Sequence, residues 1–109
     1  MSEDWKFIKE VHSFKELPSD QIPEFIFWGR SNVGKSSLIN SLTKKKIAKT
    51  SRTPGRTKSL VFFQFKNILR IVDFPGYGFS KISANQILKL DLLLDQYFQK
   101  RENLKKIFL

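Results

Sequence analysis

The sequence predicts a three-layer α/β fold, and three features of the chain support that prediction. An apolar run at 25–28 leads into a glycine-containing loop and then into a helical pattern that starts near Lys35. A later apolar strand ends at Asp73 and is broken at once by Pro75-Gly76. Strand and helix patterns also alternate, which is typical of a sheet with helices on both faces. The length of 109 residues allows one small domain.

The first 23 residues have mixed charge and little periodicity, and we interpret residues 1–23 as an N-terminal extension packed on the edge of the domain. A short strand is expected near Phe7, and Pro18 and Pro23 bracket a turn that leaves the extension. The domain itself is expected to occupy residues 24–109.

The central motif is Gly29-x-x-x-x-Gly34-Lys35-Ser36, placed between a predicted strand and a predicted helix. The glycines let backbone N–H groups turn inward around a phosphate, and the positive end of the following helix faces the same anion. Lys35 is expected to reach the outer phosphates, and the Ser36 hydroxyl is expected to ligate Mg²⁺. A glycine-rich turn that binds nothing is the alternative, and the Lys-Ser ending argues against it. The predicted loop is Gly29, Arg30, Ser31, Asn32, Val33, Gly34, Lys35 and Ser36.

The segment after this loop predicts a short helix and then a basic loop. Leu38, Ile39 and Leu42 have helical spacing, so the helix is expected to end near Lys44. Residues 44–58 are rich in Lys and Arg and contain a Pro-Gly breaker. A loop of this length in a compact domain is either functional or disordered.

Two strands joined by a hairpin turn are predicted next, at 59–65 and 68–74, with the turn at Lys66-Asn67. Ser83-Ala84-Asn85-Gln86 has the spacing of a capping box, and a helix to about Arg101 is predicted to follow it. Its apolar stripe is predicted to be Ile87, Leu90, Leu94, Tyr97 and Phe98.

The last residues, Ile107-Phe108-Leu109, resemble the opening of a parallel core strand. Three core strands and two helices are therefore expected, and we expect the chain to be truncated. Without further strands, the central strand at 24–28 should keep one hydrophobic edge uncovered, which would favour aggregation.

Asp73 is the predicted acidic member of the phosphate site. A carboxylate at that strand end can hold Mg²⁺ through its water shell, and the Gly76 N–H can bond a γ-phosphate. Thr57, at the end of the basic loop, is expected to bring a second hydroxyl to the metal when a γ-phosphate is present. An ordinary loop role for Thr53 or Thr57 is the alternative.

Composition limits the classes of function. The net charge of +10 favours a polyanionic partner such as RNA, against the alternative of a lysine-rich surface that only keeps the protein in solution. The absence of Cys excludes disulfides and thiolate metal sites and fits a cytoplasmic location. We find no signal-peptide pattern and no apolar run long enough to span a membrane. His12 is expected on the surface.

Three blocks of this sequence resemble the EngB family (also called YsxC or YihA), which belongs to the Era/EngA-like GTPases. The resembling stretches are Phe25–Ser41, Thr50–Phe63 and Ile71–Lys81. The matching blocks are Pro-Glu-(x)4-Gly-Arg-Ser-Asn-Val-Gly-Lys-Ser-Ser-Leu-Ile-Asn, Thr-Pro-Gly-Arg-Thr and Asp-Phe-Pro-Gly-Tyr-Gly. The resemblance implies the N-terminal half of a Ras-like G domain. It also implies a Mg²⁺-dependent GTP/GDP switch of large-subunit ribosome assembly, needed for normal cell division and septation and acting as a monomer.

The resemblance also implies roles for particular residues. Beyond the phosphate loop, the predicted nucleotide-binding residues are Gly55, Arg56, Thr57, Lys58, Ser59, Asp73, Phe74, Pro75 and Gly76. Tyr77 stands where Ras-like enzymes carry a water-orienting Gln, so slow hydrolysis is expected. Asn32 resembles a residue that helps hold K⁺ in related GTPases, or it only shapes the loop. No catalytic residue is assigned, and Asn32 and Thr57 are the candidates.

Two other functions stay open at this point. The chain could be a phosphate- or RNA-binding module without turnover, which salt-dependent RNA binding without hydrolysis would indicate. It could also be an ATPase or kinase, although the Thr-Pro-Gly-Arg-Thr block argues against that. The guanine-reading motif of a Ras-like domain is absent from the sequence, so base choice and turnover by this chain are not determined by its residues.

Overall fold

A computed structural model describes residues 4–28, 35–44, 59–74 and 84–108 of the chain. The strands are β1 (Trp5–Val11), β2 (Glu24–Phe27), β3 (Leu60–Phe65), β4 (Leu69–Asp73) and β5 (Leu104–Phe108). The helices are α1 (Lys35–Thr43) and α2 (Ala84–Lys100), and a short 3₁₀ turn covers Phe14–Glu16.

The five strands form one mixed sheet in the order β1-β3-β4-β2-β5. β1 pairs antiparallel with β3, and β3 pairs antiparallel with β4 through the predicted hairpin. β2 lies between β4 and β5 and runs parallel to both. The carboxyl ends of β2, β4 and β5 therefore meet at one edge of the sheet, and their amino ends meet at the other.

The two helices cover opposite faces of the sheet, which confirms the three-layer α/β fold. Neighbouring residues of a strand point to opposite faces. On one face, Phe27 packs in a cluster with Ile39 of α1. On the other face, Ile26 packs in a cluster with Leu93 and Tyr97 of α2.

The helix α1 ends at Thr43, one residue before the predicted limit. Lys44 has a φ of 56°, in the left-handed region that a helix cannot continue through. Its backbone N–H donates to the Ser41 carbonyl at 3.3 Å, so the last turn is closed by a tighter bond than an α-helix uses.

The prediction of an uncovered edge on the central strand was wrong. β5 covers that edge of β2, with Phe27 opposite Phe108, and the Trp28 N–H donates to the Phe108 carbonyl at 2.9 Å. The expected count of three core strands was also too low, because β1 and β5 both belong to the sheet. The pattern at the end of the chain did indicate a parallel strand, and the structure confirms its direction.

Two local predictions need correction. Ile68 was placed in a strand, but it lies in the hairpin turn, where its N–H donates to Phe65 and its side chain is exposed. Ile87 was placed on the buried stripe of α2 and is 39% exposed, whereas Leu93, which the prediction omitted, is buried. The buried stripe of α2 therefore begins at Leu90, one turn later than predicted. His12 is exposed, as predicted.

Candidate phosphate-binding site

The carboxyl edge of the sheet brings together two of the predicted motifs. Phe27 and Asp73 are register partners on the parallel strands β2 and β4. The Phe74 N–H also donates to the Phe27 carbonyl at 3.0 Å, so the two strand ends are joined by a hydrogen bond. The predicted phosphate loop follows β2 directly, and Asp73 therefore ends its strand beside the start of that loop.

Asp73 is a buried carboxylate at this edge, with 6% of its surface exposed. It is the last residue of β4 and lies opposite Val61 of β3. A carboxylate oxygen is a hard ligand of the kind that Mg²⁺ takes, directly or through water. Its position fits the predicted metal-binding role, which stays a prediction.

The helix α1 begins at Lys35, at the end of the predicted loop. The Ile39 side chain of α1 is fully buried in the cluster that holds the helix on the sheet, whereas Leu38 is half exposed. The sheet therefore orients a helix whose N-terminal end is positive and follows the glycine-containing segment. That end of a helix is a suitable binding site for an anion.

Two other predicted site residues have clear structural roles. The Ser59 side chain is buried, and its hydroxyl donates to Glu10 Oε1 at 2.9 Å, which links the start of β3 to β1. The Phe74 side chain is fully buried and packs among aromatic rings. If these residues contact a nucleotide, Phe74 would do so through its backbone.

The remaining site predictions lie outside the described residues. These are Gly29, Arg30, Ser31, Asn32, Val33, Gly34, Gly55, Arg56, Thr57, Lys58, Pro75 and Gly76, together with the side chains of Lys35 and Ser36. Tyr77, Arg52 and Thr53 also lie outside them.

Behind the candidate site lies a group of rings that sequence reasoning did not assign. We call Trp28, Phe74, Tyr97 and Phe98 the aromatic cluster. The Trp28 ring centroid lies 5.8 Å from that of Phe74 and 5.5 Å from that of Phe98. The Phe74 ring meets Tyr97 edge-on at 5.2 Å. The signal in the sequence was an aromatic residue directly before Gly29 and another directly after Asp73.

A second unpredicted group lies at the opposite, amino edge of the sheet. We call Glu24, Arg70, Tyr97 and Arg101 the Glu24 cluster. The Glu24 carboxylate is fully buried and accepts hydrogen bonds from the Arg70 guanidinium at 3.0 Å, the Tyr97 hydroxyl at 2.7 Å and Arg101 Nε at 2.9 Å. A buried charge is tolerated only when its partners satisfy it, and Glu24 meets that condition.

The Glu24 cluster extends to a surface carboxylate. Arg70 forms a two-pronged ion pair with Asp20, and this hydrogen-bonded guanidinium lowers the pKa of Asp20. Burial and the neighbouring Glu24 charge raise the pKa of Tyr97, so its hydroxyl stays a donor. The Asn103 side-chain amide donates to the Ile22 carbonyl at 2.9 Å, which fixes the turn before β5.

The charges of the chain are distributed unevenly between these regions. All ten acidic residues lie outside 25–72, whereas this segment contains many Lys and Arg residues.

In the described ranges, no group of three or more His, Cys, Asp or Glu residues could hold a metal. No helix in the described part of the chain has the length and apolar composition to cross a membrane.

Comparison with known proteins identifies related chains. The family model described as "50S ribosome-binding GTPase" matches residues 24–107. A probable GTP-binding protein EngB of Mycoplasma genitalium is 52% identical over 97% of this chain and 55% of its own length. Proteins with the same description from Lactobacillus gasseri and Aquifex aeolicus are 43% and 44% identical, over 97% and 88% of this chain and 55% and 53% of their own lengths. The chain therefore spans about half the length of the curated relatives it matches.

Proposed function

The chain belongs to the 50S ribosome-binding GTPase family, among relatives of the EngB type, and from that membership we propose that it is a GTP-binding switch protein of ribosome assembly. The observation that carries the proposal is the carboxyl edge of the sheet. There β2 ends just before the Gly29–Ser36 motif in the sequence, α1 begins at Lys35 within the motif, and the buried Asp73 ends the strand beside β2. This is the arrangement in which P-loop proteins bind phosphates.

The proposed roles follow the chemistry of each group. Backbone N–H groups of the Gly29–Gly34 loop and the Lys35 ammonium hold the phosphates of the nucleotide. Asp73, with the hydroxyls of Ser36 and Thr57, offers the oxygen ligands that suit Mg²⁺, which would neutralise charge between the β- and γ-phosphates. Asn32 is the proposed contact for K⁺.

We expect hydrolysis by such a switch to be slow. Tyr77 occupies the position after the Gly76 glycine, and a phenol cannot orient an attacking water as a Gln amide does. Turnover, if this chain performs it, should therefore depend on a partner that supplies the missing charge or orientation.

The proposed partner is the large ribosomal subunit or its RNA, in the bacterial cytoplasm, with a consequence for cell division. The support is the family description and the charge distribution, since a net charge of +10 attracts a polyanion. The acid-free segment from Phe25 to Val72 concentrates that attraction on the part of the chain that also carries the phosphate motif.

The test is a titration of the purified chain with fluorescent GDP and a non-hydrolysable GTP analogue, with and without Mg²⁺. We expect saturable binding that Mg²⁺ strengthens, with ATP as a competitor to measure base choice, which the residues of this chain do not predict. The Lys35→Ala variant should lose at least about tenfold in affinity, because its charge acts directly on the phosphates. Lys44→Ala removes an exposed lysine at the other end of α1 and serves as the matched control.

Binding that Lys35→Ala and Lys44→Ala weaken equally would contradict the proposal. A clear preference for ATP over GTP would favour an ATPase or kinase instead. RNA binding that weakens steeply with salt, in a chain that binds no nucleotide, would favour the second candidate, an RNA-binding module without turnover. The uneven charge distribution is the observation that keeps that candidate open.

A further inference from the structure

The strands β1 and β3 carry paired aromatic side chains on one face of the sheet. In their antiparallel register, Trp5 lies opposite Phe65 and Phe7 lies opposite Phe63. The ring centroids of these two pairs are 5.2 and 6.2 Å apart. Phe63 packs in the same cluster as Ile39 of α1. Because directly opposed residues and alternate residues of a strand share a face, all four rings lie on the α1 side of the sheet.

These rings are only partly covered by the fold. Phe7 is 51% exposed, whereas its partner Phe63 is 1% exposed. Trp5 and Phe65 are partly buried. The cross-strand contacts therefore use only part of the aromatic surface, and the rest faces solvent. Flat aromatic groups that face solvent on a sheet are a surface on which other flat groups can stack.

The hairpin turn adds a positive charge to this surface. The Nζ atom of Lys66 lies 5.5 Å from the centroid of the Phe65 ring. Lys66 has a φ of 49°, a left-handed conformation that Gly or Asn adopts at lower cost than Lys. Its N–H donates to the Asp4 carbonyl at 3.2 Å, a bond that any residue except Pro could make. The backbone of the turn therefore does not account for the lysine side chain.

The surroundings of Lys66 suit a polyanion. Lys66 lines a cavity of about 360 Å³ together with Asp4, Lys6, Ile8, Gln64 and Asn67. Its ammonium lies 3.8 Å from the Asp4 carboxylate, and both side chains are more than a quarter exposed. Ion pairs at the surface are weak, so a phosphate can compete with Asp4 for the lysine. The net charge of +10 draws phosphates to the chain as a whole.

We propose that Trp5, Phe7, Phe65 and Lys66 form a platform on which unpaired RNA bases stack. We call these four residues the β1–β3 platform. The inference rests on the proposed function and specifies where its RNA partner binds and in which form. Bases are free to stack on aromatic side chains where they are unpaired, and a lysine beside the rings neutralises the adjoining phosphate. That lysine and the net charge favour RNA over a protein partner.

The β1–β3 platform is separate from the candidate phosphate site. Phe65 lies opposite Leu69 at the start of β4, whereas Asp73 is at the end of that strand. The platform therefore extends toward the amino edge of the sheet, and the phosphate site is at the carboxyl edge. RNA and nucleotide can bind at the same time, so each can be measured without the other.

The first experiment measures the affinity for a labelled uridine oligonucleotide of about 12 nucleotides by fluorescence anisotropy, a length that one such surface can cover. We expect Phe7→Leu, which stays apolar but lacks the ring, to weaken binding about fivefold or more, the lower limit for one stacked base. Phe7→Tyr retains the ring and should bind as the wild type does. Leu92→Ala removes another exposed apolar side chain, from α2, and should have no effect.

A second pair of variants separates the platform from general charge. Lys66→Gly and Lys44→Gly each remove one positive charge, and each places Gly at a left-handed position, since Lys44 has a φ of 56°. Both should retain or raise the urea midpoint. We expect Lys66→Gly alone to weaken RNA binding, about twofold to fivefold, the range for a cation at an exposed ring. This pair also tests the proposal if Phe7→Leu does not fold.

Trp5 gives a direct signal of stacking. The chain has two tryptophans, so Trp28→Phe leaves Trp5 as the only indole. In that background, we expect the single-stranded oligonucleotide to quench Trp5 emission. A duplex RNA of the same length should quench it less, because paired bases cannot stack on the platform. Equal quenching by the two forms would contradict the proposed stacking.

The outcomes separate this inference from the proposed function. If the chain binds nucleotide, but Phe7→Leu and Lys66→Gly bind RNA as the wild type does, the inference is overturned and the GTP-binding function stands. Equal losses in Lys66→Gly and Lys44→Gly would mean that RNA responds to net charge alone, which also overturns it. A wild-type chain that binds no RNA overturns it and would favour a protein partner for this surface. RNA binding through the platform without nucleotide binding supports the inference and overturns the GTP switch.

Discussion

The two ends of the central strand β2 use charge in opposite ways. At its amino end, Glu24 is fully buried and is satisfied by Arg70, Tyr97 and Arg101 of the same chain. At its carboxyl end, the sequence continues into a glycine-containing motif with Arg30 and Lys35, and the acid beside this end is Asp73, the proposed metal ligand. The charge at the first end is neutralised within the protein, whereas we propose that the second end binds an anion from outside. On this proposal, one end serves stability and the other serves binding.

The largest effect is expected from Glu24→Gln. The substitution removes the carboxylate that Arg70 and Arg101 share. Both arginine side chains are at least nine-tenths buried. Removing one partner of a buried ion pair costs about 3–5 kcal/mol of unfolding free energy. Urea denaturation followed by circular dichroism measures the loss, with the exposed Glu102→Gln as the control. A loss below about 1 kcal/mol would mean that the amino edge does not stabilise the fold as we describe.

Nucleotide binding at the carboxyl end of β2 should stabilise the folded chain independently of the Glu24 cluster at the amino end. A ligand present at 100 times its dissociation constant stabilises the folded chain by about 2.7 kcal/mol. We expect Tyr97→Phe, which removes only a hydroxyl at the amino edge, to leave that increment unchanged. Thermal unfolding with and without GDP measures it. An increment that falls in Tyr97→Phe would show that the two ends are energetically coupled and would break the comparison.

Without ligand, Tyr97→Phe should itself destabilise the chain by about 1–3 kcal/mol, because a buried carboxylate loses one hydrogen-bond donor. The ring is retained, so the aromatic contacts with Phe74 and Phe98 should persist. Urea denaturation gives the difference in free energy. The near-ultraviolet circular dichroism spectrum checks that the rings stay packed, and a neutral effect on stability would contradict the assigned hydrogen bond.

The smallest expected effect concerns pH. The pKa of Asp20 is lowered, chiefly by its hydrogen bond from Arg70, so its stabilising contribution is present above the unfolded-state pKa of about 3.9. That contribution is lost as pH falls through the lower folded-state value. The melting temperature of the wild type should therefore decline more steeply below about pH 4 than that of Asp20→Asn. Parallel curves for the two proteins would exclude this role of the ion pair.

The sequence predicted what local patterns determine. Hydrophobic periodicity located both helices and the hairpin within a few residues, and the position of Asp73 at a strand end was confirmed. The pairing of β5 with β2 was not predicted, because strand neighbours far apart in the chain leave no local pattern. The prediction of an uncovered edge on β2 was wrong for the same reason, because the sequence did not show that β5 pairs there.

The Glu24 cluster was missed for a similar reason. Its members come from β2, β4 and the end of α2, so no window of sequence contains them together. One signal was available: Arg70 is a lone charge between apolar residues of a buried strand, and such a residue needs a buried partner. The candidate site was predicted from its motif and stays a prediction. The structure shows that β2 ends beside Asp73 and that α1 begins at Lys35.

The place of β2 between β4 and β5 also has a consequence for how the chain folds. The strand at Glu24–Phe27 finds one partner at Leu69–Asp73 and the other at Leu104–Phe108, so its pairing closes two long loops. Loop closure costs entropy before any contact repays it, and folds rich in such distant contacts fold in milliseconds to seconds. During synthesis from the N-terminus, β2 therefore emerges before both partners, and one of its edges stays unpaired until β5 has been made. Of the described strand pairs, β2–β5 joins the residues farthest apart in the sequence, so the strand that directly precedes the phosphate motif is the last to complete its pairing, and until then its open edge favours aggregation.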